Sequence, residues 1–404
     1  MQNNPLPTFK SHSVMRDQIK ETNPVKLPAH SIPGEIESGP PPSPLRPERR
    51  VGYAIVGLGK LTLGQILPAL AACKYSKPVA LVSGDEKKAQ KVALQYGIPE
   101  TGIYNYDNFD DIRNNPDIDV VYIVLPNSMH EEYTIRAARA GKHVLCEKPM
   151  ATTVEAARRM IDVCKEENRK LMIAYRIQYE PNSRLCKKWT REKTYGNVRI
   201  ITSFHGQNMG DPDQWRLKKD LAGGGALPDI GIYNLNTARF LLGEEPEAVL
   251  ASTFSTPGDK RFKEVEEAVM FQLFFPGGAI ANNTCSYGIH GNRYYRCHAD
   301  DGGFFGVDNG FTYGDLQLEV SNVKDNMEWS ARPSLGPEKN QFALEIDHMS
   351  DCVLHDKTPY TPGEEGLQDQ IIMEAIYESA RTGKRVELER ITKKDAFRGD
   401  EPEE

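Results

Sequence analysis

Between residues 51 and 176, short continuous apolar segments alternate with segments whose apolar residues recur at helical spacing. The apolar segments predict strands at VGYAIVGL, PVALVSG, DVVYIVLP, HVLCEKP and KLMIAYR. The segments between them predict helices at GQILPALAAC, KKAQKVALQYG, MHEEYTIRAARAG and EAARRMIDVCKEEN. Strands that are apolar on both faces and separated by helices are typical of a parallel sheet covered on both sides. Residues 51–175 are therefore predicted to form a doubly wound α/β domain.

After Arg176 the pattern changes, because strand-like segments follow one another with few helices between them. These segments are NVRIITSFHG, AVLASTFS, EEAVMFQLFF, GAIANNTCSYG and RYYRCHA. Such a succession predicts a second, α+β domain over residues 176–389 with an open, mostly antiparallel β-sheet. Two helical segments, FALEIDHMSDCVLH and GLQDQIIMEAIYESARTG, complete it. We predict that the last residues, 390–404, form a solvated charged tail.

The first 50 residues differ in composition from the rest of the chain. They contain ten of its 27 prolines and end in PPPSPLRPERR. Proline-rich sequence favours an extended chain without a core of its own. Two interpretations stay open: a disordered tail, or an ordered arm that lies on another subunit.

Charge and cysteine content exclude several classes of protein. The net charge is −7 and the isoelectric point is near 5.8, which argues against a nucleic-acid-binding surface. The longest apolar segments are too short to span a bilayer, and no apolar signal-peptide core is present. Seven cysteines without C-x-x-C spacing indicate reduced thiols and no zinc site, so we expect a cytoplasmic protein, or a periplasmic one if a signal was removed.

A glycine pair in the turn after the first strand indicates a dinucleotide site. Gly57 and Gly59 lie where a Rossmann domain binds pyrophosphate at a helix N-terminus, although Thr62 takes the place of the third glycine. The second strand ends at Ser83 and Gly84, with Lys88 nearby, instead of at the carboxylate that usually holds an NAD ribose. A hydroxyl and a lysine suit the 2′-phosphate of NADP, whereas Asp85 favours NAD.

Three side chains form a candidate catalytic set. Lys148 follows a late parallel strand, at the carboxyl edge of the sheet where ligands bind in such domains. Asp229 and Tyr233 are four residues apart on a predicted helix, so they share a face. A lysine ammonium near a tyrosine favours the phenolate, which could accept the proton of an alcohol during hydride transfer. The alternative is that the tyrosine is a packing residue and the lysine a surface charge.

Several short motifs resemble the family of glucose–fructose oxidoreductase and inositol-dehydrogenase-like proteins. They are GLGK, LPNSMH, CEKPMATT, AYRIQYEP, WRLKKDLAGGG, DIGIY and PGEEGLQD, and the similarity extends over nearly the whole chain from residue 46. Many members of this family carry histidine at the position of Tyr233, and tyrosine is typical of the glucose–fructose oxidoreductase type. The resemblance implies a Rossmann domain, a second domain that mediates oligomer contacts, and tightly held NADP.

The resemblance also assigns roles to residues at matching positions. It implies that Lys148, Asp229 and Tyr233 are catalytic and also contact the substrate. It implies that Arg176 and Tyr179 border the sugar pocket. The cofactor contacts that it implies are Gly57, Gly59, Lys60, Leu61, Ser83, Gly84, Lys88, Pro126, Asn127, His130, Glu147, Lys148, Arg176, Trp215 and Arg216. It further implies a homodimer or homotetramer formed through the open sheet, with the proline-rich arm on a neighbouring subunit.

Three functions agree with these features. The first is oxidation of an aldose at C1 to the lactone, with the hydride passed from bound NADPH to a second sugar, a ketose or an aldose. The second is an ordinary NADP-dependent aldose 1-dehydrogenase that exchanges its cofactor. The third is a non-catalytic NADP-binding sensor, which would not need the acid–base set of Lys148, Asp229 and Tyr233.

Overall fold

A six-stranded, fully parallel sheet forms the first domain in the computed structural model, which describes residues 44–336 and 338–402. The strand order is β3-β2-β1-β4-β5-β6. The strands are β1 (Val51–Val56), β2 (Ser76–Val82), β3 (Ile103–Tyr104), β4 (Val120–Ile123), β5 (His143–Glu147) and β6 (Leu171–Ala174). The helices are α1 (Leu67–Ala72), α2 (Glu86–Tyr96), α3 (His130–Arg139) and α4 (Val154–Glu166). The order reverses between β1 and β4, which is where ligands bind in open α/β sheets.

A nine-stranded sheet forms the second domain, in the order β14-β13-β12-β11-β7-β10-β9-β8-β15. All neighbouring strands in it are antiparallel except the parallel pair β7 and β10. The strands are β7 (Val198–Gly206), β8 (Ala248–Phe254), β9 (Ala268–Phe274), β10 (Ile280–Ser286), β11 (Arg293–Ala299), β12 (Gly303–Asp308), β13 (Gln317–Lys324), β14 (Met327–Ala331) and β15 (Val386–Glu387). The predicted fold class, a Rossmann domain followed by an α+β domain, is confirmed.

Helices of the second half cover one face of this sheet. They are α5 (Pro181–Glu192), α7 (Ile232–Leu242) and α9 (Gly363–Thr382); the second half of the chain also contains α6 (Lys219–Ala222) and α8 (Gln341–Leu354). A π-helical turn, Leu227–Gly231, precedes α7, and α5, α7 and α9 contact the strands. The opposite face exposes apolar side chains, including Ile200, Leu250, Phe254 and Met270. Assembly into a homodimer or homotetramer through that face stays a prediction, and the predicted proline-rich arm lies outside the described residues except at its end.

Helix α8 belongs to the second half of the chain but packs on the first domain. The Tyr53 hydroxyl on β1 donates to the carbonyl of Ile346, at 2.9 Å. The Asp347 carboxylate accepts from the backbone N–H of Lys74 at 2.6 Å and from the Ser76 hydroxyl at 2.8 Å. These contacts join the start of β2 to α8, so the two domains share a helix.

The last residues correct one prediction, because the region 390–402 is not simply a solvated tail. The Arg398 side chain is fully buried and forms an ion pair with Glu365 at 2.7 Å. Lys187 forms a further ion pair with Glu401. A charged segment can be buried when each charge meets a partner of opposite sign, and composition alone does not reveal those partners.

Three further observations concern the bulk properties. All seven cysteines are buried free thiols. None of the helices in the described part of the chain is both long and apolar enough to cross a membrane. Within the same residues, no cluster of three or more metal-ligating side chains is present.

Candidate functional site

Lys148 links the two domains at the carboxyl edge of the parallel sheet. Its ammonium, which follows directly on β5, donates to the backbone carbonyl of Asp229 at 2.6 Å and lies 3.3 Å from Asp229 Oδ1. The Lys148–Pro149 peptide bond is cis. Burial alone would lower the pKa of Lys148, but the nearby Tyr233 phenol and Asp229 carboxylate raise it, so the amine stays cationic. The lysine quoted in the CEKP motif is therefore a positioned cation and not a surface charge.

Asp229 lies at the centre of a hydrogen-bonded and ionic cluster. Its Oδ2 accepts a 2.7 Å hydrogen bond from the Tyr287 hydroxyl and forms a 3.2 Å ion pair with Arg216 Nε. Burial would raise the pKa of Asp229, but Arg216 and then Lys148 hold it well below its usual range. The carboxylate is therefore ionised at neutral pH, and it fixes both cations in place.

Tyr233 lies between two cations. Its ring centroid is 4.7 Å from Lys148 Nζ and 4.8 Å from the Arg176 guanidinium carbon. It also contacts the His205 ring, with centroids 5.4 Å apart. A phenol that is held by two cations at the boundary between the domains suits a tyrosine that accepts and returns a proton.

The helix that carries Asp229 and Tyr233 approaches the second sheet closely. A Cβ on Gly231 would lie 2.7 Å from the Cys285 sulfur of β10. Glycine in a helix interior costs about 1 kcal/mol relative to alanine, and this close approach accounts for its presence at position 231. The glycine therefore lets the helix sit against β10, where Asp229 reaches Tyr287 just beyond the strand end.

The turn after β1 has the shape that a pyrophosphate requires. Gly57 has a φ of +96°, and a Cβ there would lie 2.3 Å from the carbonyl oxygen of Val124. Gly59 is exposed, with no atom within 4 Å of a Cβ position, so its backbone is open to a ligand. Thr62, at the position of the missing third glycine, donates from its hydroxyl to the Gly57 carbonyl at 2.6 Å. Lys60, which is exposed, and Leu61 follow at the start of the helix.

Asp85, the residue that favoured NAD in the sequence, has a structural role after the end of β2. Asp85 is the N-cap of α2, where its carboxylate accepts from the backbone N–H of Lys88 at 3.0 Å. Its own N–H donates to the Ser83 hydroxyl at 3.1 Å. Capping gives Asp85 a structural role, which leaves Ser83, Gly84 and the exposed Lys88 as the groups that suit a 2′-phosphate.

Residues that follow β4 hold the backbone around Lys148 in place. Asn127 donates from its amide to the Ala222 carbonyl at 2.8 Å, which joins the two domains. The buried His130 ring lies 2.8 Å from the Pro149 carbonyl and 3.0 Å from that of Leu125. Pro126 is half-buried just before them. Asn127 and His130 therefore position the backbone around Lys148.

Two further predicted cofactor contacts are Trp215 and Glu147. The Trp215 ring lies 4.5 Å from the Arg216 guanidinium carbon, beside Asp229. The buried Glu147 carboxylate accepts from the Tyr122 hydroxyl at 2.9 Å, and burial raises its pKa against the effect of Lys148. Both lie near the cluster around Lys148.

The structure does not bring Tyr179 to the site. Its side chain is 2% exposed, and its hydroxyl lies 2.9 Å from Thr361 Oγ1. The ring packs against His348 and Tyr360, away from Tyr233. The short helical turn directs Tyr179 into the core while Arg176 lies at the site, and the contact of Tyr179 with a sugar stays a prediction.

Sequence reasoning missed three residues of the site: His205, Tyr287 and Tyr313. Tyr287 holds Asp229, and His205 packs against Tyr233 on one side and Phe311 on the other. Burial and the nearby Arg293 hold the pKa of His205 well below its usual value, so the imidazole is neutral. These residues lie on strands and loops remote in sequence from the motifs, so no spacing signal marked them.

Comparison with known proteins gives matches over both domains. Residues 51–175 match a model described as an oxidoreductase family with an NAD-binding Rossmann fold, and residues 183–304 match the GFO/IDH/MocA C-terminal domain. A D-xylose 1-dehydrogenase [NADP(+)] of Haloarcula marismortui is 36% identical, over 84% of this chain and 93% of that protein. A second, NADP(+)-dependent D-xylose 1-dehydrogenase from Haloferax volcanii is 28% identical over 83% of this chain and 99% of its own length.

A solved structure is similar in both sequence and fold. The aldose–aldose oxidoreductase of Caulobacter crescentus, complexed with glycerol, superposes with a TM-score of 0.81 at 45% sequence identity. The match covers 84% of this chain and all of that chain.

Proposed function

The chain belongs to the GFO/IDH/MocA family of oxidoreductases, and on that premise we propose that it oxidises an aldose at C1 to the lactone and passes the hydride from tightly held NADPH to a second sugar. It is a sugar oxidoreductase that uses NADP. The observation that carries the finer proposal is the cluster of Lys148, Asp229 and Tyr233, with a tyrosine at the acid–base position. Its 45% identity to an aldose–aldose oxidoreductase also supports transfer between two sugars.

The residues described above fit the dinucleotide. Gly57 and Gly59 would face the pyrophosphate, and Ser83 and Lys88 the 2′-phosphate. Trp215 and Arg216 would face the part of the cofactor that lies at the boundary between the two domains. Bound nicotinamide supplies the hydride acceptor in one half-reaction and the donor in the other. The open backbone at Gly59 is the observation that carries the fit.

The chain's own residues move the proton. In the first half-reaction, the Tyr233 phenolate takes the proton of the C1 hydroxyl. The C1–H bond breaks and its hydrogen leaves as hydride, so that the lactone carbonyl forms. In the second, the Tyr233 hydroxyl returns that proton to the carbonyl oxygen of the second sugar as its carbon gains the hydride. Between the two steps Tyr233 is the phenol that carries the proton; Lys148 and Arg176 lie against its ring, and Asp229 holds Lys148 in place.

A second candidate is an NADP-dependent aldose 1-dehydrogenase with exchangeable cofactor. The 36% identity to a D-xylose 1-dehydrogenase over 84% of the chain favours it. The two candidates share the first half-reaction and differ in whether NADP leaves before the second.

Retention of the cofactor distinguishes these candidates. We expect protein that is purified without added nucleotide and desalted exhaustively to show rising nicotinamide fluorescence when one aldose is added. The signal should fall when a second sugar is supplied, because the same nicotinamide is reoxidised in place.

The opposite result would support the dehydrogenase. Protein that is dark after desalting, yet oxidises an aldose once NADP is added in excess, exchanges its cofactor. Addition of the lactone alone is the control, since it offers no hydride and should produce no rise.

Ser83→Asp should move cofactor preference from NADP toward NAD. An added carboxylate would repel the 2′-phosphate, and it could hydrogen-bond the ribose diol of NAD as in NAD-specific Rossmann domains. We expect the ratio of the Kd for NAD to the Kd for NADP to fall by about 10²-fold or more, since like-charge contacts cost several kcal/mol. Calorimetric titration of nucleotide-free protein measures both constants. Ser83→Ala is the matched control and should change the ratio far less, whereas an unchanged ratio in Ser83→Asp would show that Ser83 does not contact this part of the nucleotide.

A further inference from the structure

A second tyrosine, Tyr313, lies beside the acid–base tyrosine. It belongs to the segment between β12 and β13, and its side chain is 50% exposed. Its ring centroid is 4.7 Å from the guanidinium carbon of Arg176, which also lies 4.8 Å from the Tyr233 ring. One guanidinium therefore contacts both phenol rings and sets them next to each other.

The segment that carries Tyr313 is held by hydrogen bonds to its backbone carbonyl groups. Arg176 donates to the carbonyl oxygens of Phe311 at 2.7 Å and Thr312 at 2.9 Å. Gln341 adds a bond from its amide to the Thr312 carbonyl at 3.1 Å. The Tyr313 ring then packs edge-on against Phe342, with centroids 5.3 Å apart. Backbone and ring are both held, so the position of the hydroxyl is defined before any ligand binds.

The Tyr313 hydroxyl has no hydrogen-bond partner among residues 44–336 and 338–402. Packing around the hydroxyl, followed by the neighbouring Tyr233 phenol, raises the pKa of Tyr313 against the opposing effects of Arg176 and Lys148. The phenol is therefore neutral near pH 7, and it can both donate and accept one hydrogen bond.

We propose that Tyr313 orients the sugar by hydrogen bonding one ring hydroxyl other than the one that is oxidised. The inference rests on the proposed function, because it takes a sugar as the ligand of this site. A half-exposed phenol that is fixed in place and lacks a protein partner offers its hydrogen bond to a ligand. The two tyrosines therefore have different roles. Tyr233 lies against both Lys148 and Arg176 and exchanges the proton. Tyr313 lies against Arg176 and selects the substrate.

Deoxy sugars test this division. The experiment compares kcat/KM for an accepted aldose and its monodeoxy analogues, in the wild type and in Tyr313→Phe. We expect the wild type to discriminate against at least one analogue by about tenfold, the worth of one neutral hydrogen bond. In Tyr313→Phe that discrimination should fall to near onefold, while the ratios for the other analogues stay unchanged.

A binding measurement separates orientation from catalysis. Calorimetric titration with a 1,5-anhydro sugar, which lacks the C1 hydroxyl and cannot be oxidised at C1, should show a Kd raised about tenfold in Tyr313→Phe. Tyr96→Phe, at the end of α2 in the first domain, is the matched control and should change neither the Kd nor the discrimination ratios.

The outcomes distinguish the two proposals. If the wild type oxidises aldoses but Tyr313→Phe discriminates among the analogues as the wild type does, the role of Tyr313 is wrong and the proposed function stands. If the wild type neither binds nor oxidises any aldose, the proposed function itself fails.

Discussion

Tyr233→Phe should reduce kcat for aldose oxidation by about 10²–10⁴-fold, the range that a positioned acid–base group contributes. The substitution removes only the hydroxyl that takes the C1 proton. The ring contacts with Lys148, Arg176 and His205 remain, so the site keeps its shape. Sugar binding should change by less than about tenfold, because a single neutral hydrogen bond contributes about 0.5–1.5 kcal/mol.

The measurement is single-turnover reduction of bound nicotinamide, followed by stopped-flow fluorescence after mixing with aldose. The variant should retain the same amount of nucleotide per chain as the wild type, which shows that the fold and the cofactor site are intact. A variant that turns over at the wild-type rate would remove Tyr233 from the proposed mechanism and leave Lys148 as the candidate proton carrier.

Arg239→Leu should have the largest effect on stability. The Arg239 guanidinium is fully buried on α7, where it forms ion pairs with Glu245 at 2.6 Å, Glu365 at 2.9 Å and Asp369. Without it, three buried carboxylates face Arg398 alone. Removal of one partner from a buried ionic cluster typically costs about 3–5 kcal/mol. We expect a loss of this size in the free energy of unfolding, measured by urea denaturation.

The loss should depend on pH. In the wild type, burial would raise the pKa of Glu365, but Arg239 and Arg398 hold it below its usual range; burial raises the pKa of Asp369 although Arg239 opposes the rise. Without Arg239 both values rise in the folded state, and stability from a group with a raised pKa is present at low pH and lost as pH increases. The difference between variant and wild type should therefore be smaller at about pH 5 than at about pH 8.

A surface arginine supplies the matched control for this prediction. Arg385 forms a 2.9 Å ion pair with Glu387, and both side chains are largely exposed. Arg385→Leu should cost at most about 1 kcal/mol, since solvent screens exposed pairs. Equal losses for the two variants, or a loss for Arg239→Leu that grows toward acid pH, would contradict the ionic account of the buried cluster.

The sequence predicts the fold well where local patterns decide it. Strands β1, β4 and β5 are continuous apolar segments between clear helices, so a parallel sheet follows from their pattern. The path of α8 is different: its sequence predicts a helix, but nothing in it shows that Tyr53 and Ser76, more than 260 residues away, accept it on the first domain. The sequence does not predict the burial of Arg398 for the same reason, because its partner Glu365 is not a neighbour in sequence.

The candidate site divides along the same line. Lys148, Asp229 and Tyr233 are identified from a residue before proline and from helical spacing, both of which are local signals. Tyr287 and Tyr313 have no such signal, because they reach the site from a strand end and from a loop whose positions depend on sheet pairing. Tyr179 shows the converse case, in which a residue three positions after Arg176 in the same motif points into the core.

The shared helix α8 also sets the rules for recombining this enzyme with its relatives. The first domain ends near residue 175 in sequence, but part of its surface is supplied by Gln341–Leu354. A chimera that exchanges everything after residue 175 would place a foreign helix on β1 and β2, and the Asp347 contacts with Lys74 and Ser76 would be lost unless the donor carries an equivalent acid. Exchanging residues 176–340 alone keeps the native helix on its native sheet. Substrate specificity can thus be transplanted as an insert between two fixed crossover points, with Tyr233 and Tyr313 inside the exchanged segment and Lys148 outside it.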